Sequence, residues 1–177
     1  MKQVYYIPIS SNEKDTEDKI NEAIRMIESR DKVDWIVELC KSTDASKYML
    51  VGEKSDSTSV VPASTSIGVK VIQGSQDKAK TEQIINKTLL NMELDGDKSF
   101  VSISHPYEFM YIILFEYKAG EFPRVKIIPN PADPYMGSRK VSTLLQNLEE
   151  DPEWIGMEPY DSFMLDEDNM VILFSEE

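Results

Sequence analysis

The chain alternates short apolar runs with polar breaks. Residues 2–9, KQVYYIPI, are dense in Val, Tyr and Ile and predict a strand. Ser10, Ser11 and Asn12 break it and offer an N-cap. From about Glu13 to Glu28, Ile20, Ala23, Ile24 and Ile27 recur at helical spacing, which predicts a one-sided helix. Its first turns hold Glu13, Asp15, Glu17 and Asp18, matched to the positive end of a helix dipole. A shorter helix is expected over residues 32–41, with Trp35, Ile36, Leu39 and Cys40.

YMLVG (48–52) and IGVKVI (67–72) predict strands. Between them the Ser/Thr-rich residues 53–66 predict a mobile loop, or one carrying a short strand at Ser59–Val61. Ser75 or Asp77 caps a helix of about 77–93 that places Ile84, Ile85, Thr88, Leu89 and Met92 on one side. Asp95-Gly96-Asp97 marks a turn, and SFVSIS (99–104) a strand. Residues 107–117 and 124–128 predict a hairpin, with Gly120 supplying positive φ at its turn, and helix is the alternative for 108–117. NPADPYMG (130–137) reads as a two-proline loop, and Ser138 caps a helix over 139–148 with Val141, Leu144, Leu145 and Leu148 facing inward. No repeat of 20–50 residues shows. Adjacent helices and hairpins outnumber strict β-α-β alternation. The expectation is α+β: one domain over 1–177, a mixed, mostly antiparallel sheet with three to four helices packed on it, and a C-terminal hairpin.

Charge changes the picture at the end of the chain. Residues 1–140 hold 21 acidic and 19 basic residues, whereas residues 141–177 hold 11 acidic and none basic. A disordered acidic tail lacks large apolar residues. This one keeps Trp154, Ile155, Phe163, Leu165 and the run Met170–Phe174, with Asp166-Glu167-Asp168-Asn169 between two apolar stretches. The segment 141–177 is therefore expected to fold onto the domain, with its acids at turns and rims. Such a surface repels nucleic acid and anionic lipid and complements a basic protein surface. Three readings stand: solubility, with relief from Arg124, Lys126, Arg139 and Lys140; docking of a cationic partner; and weak binding of a divalent ion. The docking reading assigns Glu149, Glu150, Asp151, Glu153, Asp161, Asp166, Glu167 and Asp168 to pair with Lys and Arg, and Trp154 and Tyr160 to anchor.

Catalytic chemistry finds little support. His105 is the only histidine, placed before Pro106, and no serine near it sits in a nucleophile elbow. Cys40, the only cysteine, reads as a buried thiol; it forbids an internal disulfide and fits a reducing compartment. Asp166-x-Asp168 lacks the glycine and closing glutamate of a calcium loop. No phosphate-binding glycine loop is present. No apolar run approaches the ~20 residues of a membrane span, and the opening residues do not resemble a secretion signal. The expected protein is cytoplasmic, without cofactor or catalytic residues, and acts as an immunity-type or phage-encoded inhibitor that occludes a basic surface on a nuclease or other nucleic-acid-binding protein. A carboxylate- or metal-dependent enzyme, and a structural component of a phage-type assembly, are the alternatives.

Overall fold

A computed structural model describes residues 1–54, 65–129 and 134–177, with side chains of the last stretch described from 138. The fold is α+β. In chain order the elements are β1 (Lys2–Pro8), α1 (Glu13–Arg30), β2 (Val33–Trp35), a 3-10 turn (Val37–Leu39), β3 (Lys41–Asp44), β4 (Lys47–Lys54), β5 (Ile67–Gln73), α2 (Lys78–Asp95), β6 (Ser99–Tyr107), β7 (Met110–Glu116), β8 (Arg124–Pro129), α3 (Pro134–Glu150), β9 (Met157–Met164) and β10 (Asn169–Glu176). All described strand pairings are antiparallel.

The same topology occurs three times. A strand, a helix and two further strands form a sheet whose last strand lies between the first and the middle one. The orders are β1-β4-β2 with β3 also on β4, then β5-β7-β6, then β8-β10-β9. In the first sheet the middle strand is split, β2 and β3 pairing with opposite ends of β4. The helices repeat in sequence as well. Thr16-Glu17-x-x-Ile20-Asn21 in α1 returns as Thr81-Glu82-x-x-Ile85-Asn86 in α2. The caps match too: the Asn12 carboxamide accepts from the Asp15 N–H at 2.8 Å, and the Asp77 carboxylate accepts from the Ala79 N–H at 3.0 Å. Both satisfy amides that a helix start leaves without partners.

The chain gathers into two compact units, residues 1–75 with 92–121, and residues 76–91 with 122–177. The first is built around Ile20 and Ile24 of α1, Tyr48 and Leu50 of β4, Val69 and Val71 of β5, and Ile112 and Leu114 of β7. The second has a core of Ile128, Leu148, Trp154, Ile172 and Phe174.

Each unit contains a joint in which one module's helix grips the first strand of the next. In the first unit the Asn21 carboxamide donates to the Val69 C=O and accepts from the Val69 N–H, both at 2.9 Å. Glu17 pairs with Lys70 at 3.4 Å. In the second unit Asn86 donates to the Val125 C=O at 3.0 Å and accepts from its N–H at 2.7 Å. Glu82 pairs with Lys126 at 3.2 Å and accepts from the Ile127 N–H at 2.8 Å. Strands β5 and β8 are sheet edges, so their outward backbone groups would otherwise lack partners. A carboxamide carries both a donor and an acceptor, which is what an outward N–H and C=O on one residue require.

Three expectations are corrected. The helix expected over 32–41 is instead β2, a 3-10 turn and β3. Val33 and Trp35 are buried with exposed Asp34 between them, a period of two, and the Trp35 indole N–H donates to Glu28 at 2.9 Å. The 107–117 segment is extended, but β7 pairs with β5 and β6 and not with β8. Gly120 accordingly has no positive φ; among the described residues Gly96 and Gly156 do. Gly120 is required by closeness instead, since a Cβ there would lie 2.6 Å from the Ser99 Cβ. Helix α3 starts at Pro134, inside the expected proline loop, where a missing N–H costs nothing in the first turn. The loop expected at 53–66 lies outside the described residues from 55 to 64, including the strand expected at Ser59–Val61, as do residues 130–133.

Candidate functional site

The acidic segment is folded throughout its described length. Helix α3 ends at Glu150, and the Asp151 N–H returns to the Leu148 C=O at 3.2 Å. The chain then turns tightly: the Trp154 and Ile155 amides both donate to the Asp151 C=O, and Gly156 takes φ +84°, which a side chain would oppose. Strands β9 and β10 follow as the closing hairpin. Their pairing carries a bulge where Leu173 faces Asp161 and Phe174 faces Pro159, leaving Tyr160 as the extra residue.

Trp154 does not face outward as expected of an anchor. It is 4% exposed and packs edge-on against Phe174 at 5.4 Å. Arg124 and Lys126, next-but-one neighbours on β8, place their cationic ends 4.0 and 4.5 Å from its ring centroid. Arg124 also donates to the Glu153 C=O. The indole is therefore the post on which the acidic turn is hung, held by apolar burial and cation–π attraction together. Tyr160 is exposed. Partial burial, and after it the Asp161 carboxylate, push its phenol up to about 12.

The hairpin distributes the acids between two ends. Glu149, Glu150, Asp151 and Glu153 lie where α3 runs into β9; Glu158 at the start of β9 pairs with Ser175, which brings Glu158 and Glu176 to that same end of the hairpin. Sequence reading overlooked Glu158 and Glu176, which only the strand register reveals. Asp166, Glu167 and Asp168 lie at the turn, about 20 Å away along the strands at ~3.3 Å per residue. At physiological salt the screening length is about 8 Å, so the two groups act separately on a partner. Asp161 lies between them on the outer strand.

The two groups differ in how far the chain itself neutralises them. At the turn, Asp166 binds Lys78 at 3.0 Å and accepts from the Asn169 carboxamide and the Asp168 N–H at 2.9 Å. Partial burial works to raise its pKa, but these hydrogen bonds outweigh it and hold the carboxyl at about 2. At the α3 end, Asp151 accepts from the Glu153 N–H at 3.0 Å. Among the described residues no Lys or Arg pairs with Glu149, Glu150, Asp151, Glu153, Glu158 or Asp161. None of the four bases expected to relieve them makes an ion pair with these carboxylates, although Arg124 and Lys126 lie against Trp154 in the same turn. Lys126 is held by Glu82 and the indole, Arg124 by the indole and a carbonyl. Arg139 and Lys140 line a groove of about 540 Å³ with Ile128, Leu144 and Asn147.

Strand β9 is also an edge, exposed over most of its length. Pro159, the bulge and the acids Glu158 and Asp161 oppose pairing with a passing strand. A partner therefore meets this surface through side chains rather than by extending the sheet.

His105 lies within β6; its Nδ1 is 2.9 Å from the Met110 C=O and its ring stacks on Tyr111 at 4.5 Å. The Cys40 thiol is buried, accepts from the Val51 N–H at 3.2 Å, and is pushed up in pKa by burial. Among the described residues no three His, Cys, Asp or Glu side chains converge as metal ligands. No described helix is long and apolar enough to cross a membrane. Comparison with protein-family models, curated proteins and solved structures found no match to this chain.

Proposed function

We propose that this protein is a non-enzymatic binding protein whose acidic α3–β9 end docks against a basic surface on a partner protein and occludes it. The observation that carries the reading is the group Glu149, Glu150, Asp151, Glu153 and Glu158, which has no ion-pair partner among the described residues and sits on a turn that a buried tryptophan holds in place. An ordered backbone under the carboxylates lowers the ordering cost of recognising Lys and Arg, and a field of one sign speeds encounter. Exposed Tyr160 and Ile155 supply apolar contact beside them. Inhibition of a nuclease-like effector, with carboxylates standing where phosphates would sit, is the concrete form. Asp166 belongs to the fold rather than to the docking face, because Lys78 already occupies it.

The test uses a fluorescent oligoarginine peptide read by anisotropy at low and physiological salt. Glu149→Gln/Glu150→Gln/Glu153→Gln is compared with Glu22→Gln/Asp34→Asn/Glu38→Gln, which removes the same charge from exposed positions in the first unit. The first triple is expected to weaken binding several-fold more than the second and to flatten the salt dependence. Equal weakening by both would reduce the effect to net charge and refute a docking face.

A further inference from the structure

The three modules leave one joint open at each end. Strand β1 corresponds to β5 and β8: Val4 precedes Thr16 by 12 residues, as Val69 precedes Thr81. At the two internal joints this strand's valine is covered, Val69 being 2% and Val125 0% exposed. Val4 and Tyr6 stand at the positions of Val69 and Val71, yet they are 45% and 57% exposed. Nor is their backbone satisfied along the edge. Val51, the β4 partner of Val4, gives its N–H to the Cys40 sulfur at 3.2 Å and its C=O to the Ile36 N–H at 2.8 Å. The Val4–Val51 pair thus exchanges no backbone hydrogen bonds, and the Val4 N–H and C=O point out of the free edge of the sheet. Val69 and Val125 present the same two groups to Asn21 and Asn86.

The complementary half is on α3. Aligned through Val69 and Val125, its residues Val141 and Leu145 stand where α1 has Ile20 and Ile24 and α2 has Ile85 and Leu89. Those four are buried, whereas Val141 and Leu145 are half-buried and Ser142, in place of the gripping asparagine, is exposed. Among the described residues no further strand covers this stripe. In the internal joint the helix and strand run in opposite directions, since Glu17 meets Lys70 while Glu28, about three turns further along, accepts from the Ser66 hydroxyl at 2.7 Å. In that register Lys2 of β1 reaches the end of α3 that carries Glu149 and Glu150, so the charges are complementary.

We propose that α3 of one molecule packs on the β1 face of a second copy, head to tail, reproducing between chains the joint that the chain makes twice within itself. The two surfaces differ, so the contact is heterologous and builds rings or short filaments rather than an isologous dimer. Ser138 and Ser142 replace the Glu and Asn of the internal grip, and Tyr5 replaces the lysine that the Glu would pair with. Both partners of that ion pair are absent together, which leaves an open joint weaker than the internal ones and dependent on concentration. This inference stands independently of the docking reading.

Sedimentation of the full chain over a wide concentration range is expected to show reversible growth beyond the monomer. Tyr6→Asp and Ser142→Arg alter exposed positions on opposite halves of the joint, and circular dichroism checks that each variant folds. Each variant alone is expected to associate at least ~tenfold more weakly. An equimolar mixture of the two restores dimers, because each supplies the half that the other lacks. Ser142→Asn, which reinstates the grip, is expected to tighten association. A wild-type chain that stays monomeric, variants that associate like wild type, or a mixture that fails to pair would each overturn the proposal. Unchanged oligoarginine binding by Tyr6→Asp would show that the docking reading survives such a failure.

Discussion

Replacing Asn86 with alanine tests whether the helix-to-strand grip holds the second unit together. The carboxamide makes two hydrogen bonds to one residue of β8, at 3.0 and 2.7 Å. Each contributes a net ~1 kcal/mol, and leaving a partly buried N–H or C=O without a partner costs ~1–3 kcal/mol. Alanine removes both bonds at once, and water reaches a half-buried edge more readily than a core, so the expected loss is about 2–3 kcal/mol. Asn86→Asp separates the two contributions: a carboxylate still accepts from the Val125 N–H but cannot donate to the Val125 C=O, so it loses roughly half as much. Native-state hydrogen exchange on the Val125 amide is the local readout, with urea unfolding as the global one. In Asn86→Ala the Val125 amide should exchange at least tenfold faster, while the Leu173 amide, across the sheet, slows or quickens only with global stability. The same substitution at Asn21 should act on Val69. If Val125 protection and the urea midpoint are both unchanged, the carboxamide does not hold the strand and the joint is merely apolar contact.

Trp154→Ala removes the post of the acidic turn and should cost about 3–5 kcal/mol in chemical denaturation, whereas Trp154→Phe should cost less because the Phe174 contact is kept. Asp166 is held at about 2 by Asn169, Lys78 and the Asp168 N–H against partial burial. A depressed carboxyl stabilises above its unfolded pKa and loses that contribution as pH falls through about 2. Acid unfolding of Asp166→Asn should therefore be flatter over that window, and an unchanged acid limb would refute the assignment. The phenol of Tyr160 is raised to about 12 by partial burial and then by Asp161. Its neutral form is favoured, so its contribution is intact below the ordinary tyrosine range and is lost as pH rises through about 12. Burial also raises Tyr5 and Tyr48, so ultraviolet titration should show several late tyrosines, and Tyr160→Phe should remove the one near 12. Cys40 should resist a thiol reagent until the protein unfolds, since burial raises its pKa and removes access.

Much of the secondary structure was legible because single elements announce themselves locally. The 3.6-residue spacing of Ile20, Ile24 and Ile27 and the cap at Asn12 needed no tertiary information. The folding of the acidic segment was legible in the same way, from apolar residues that a solvated tail has no use for. Strand partners were not legible. Residues 107–117 and 124–128 are adjacent in sequence and separated by a turn signal, yet β7 is drawn to β5 and β6, and β8 to β10, because the pairing is set by which apolar faces need covering. Trp154 among acids looked like an exposed anchor, and its burial depends on Phe174, Arg124 and Lys126, which arrive from two other strands. The repeat escaped because its helix motifs recur 65 residues apart, outside the 20–50 window, and share little beyond a helix-start threonine and the residues of the grip.

That selective sharing explains where the charge has gone. In α1 and α2 the polar stripe beside the buried isoleucines is consumed by the joint: Glu17 and Glu82 are matched by Lys70 and Lys126, so each acid is placed with its base. Among the described residues the third helix grips no strand of a further module. Its Glu and Asn positions are Ser138 and Ser142, and its module from α3 onward contains no lysine or arginine after Lys140. An acid in that module cannot be matched by the repeat's own mechanism, because the matching base always lies on the next strand. Lys78 compensates once, at Asp166, by reaching back from α2. The remaining carboxylates at the α3–β9 end have no ion-pair partner among the described residues, which is the basis of the docking proposal. Strengthening the internal grip should therefore leave oligoarginine binding unchanged, whereas Ser142→Lys should weaken it by placing a base about two turns from Glu149 and Glu150.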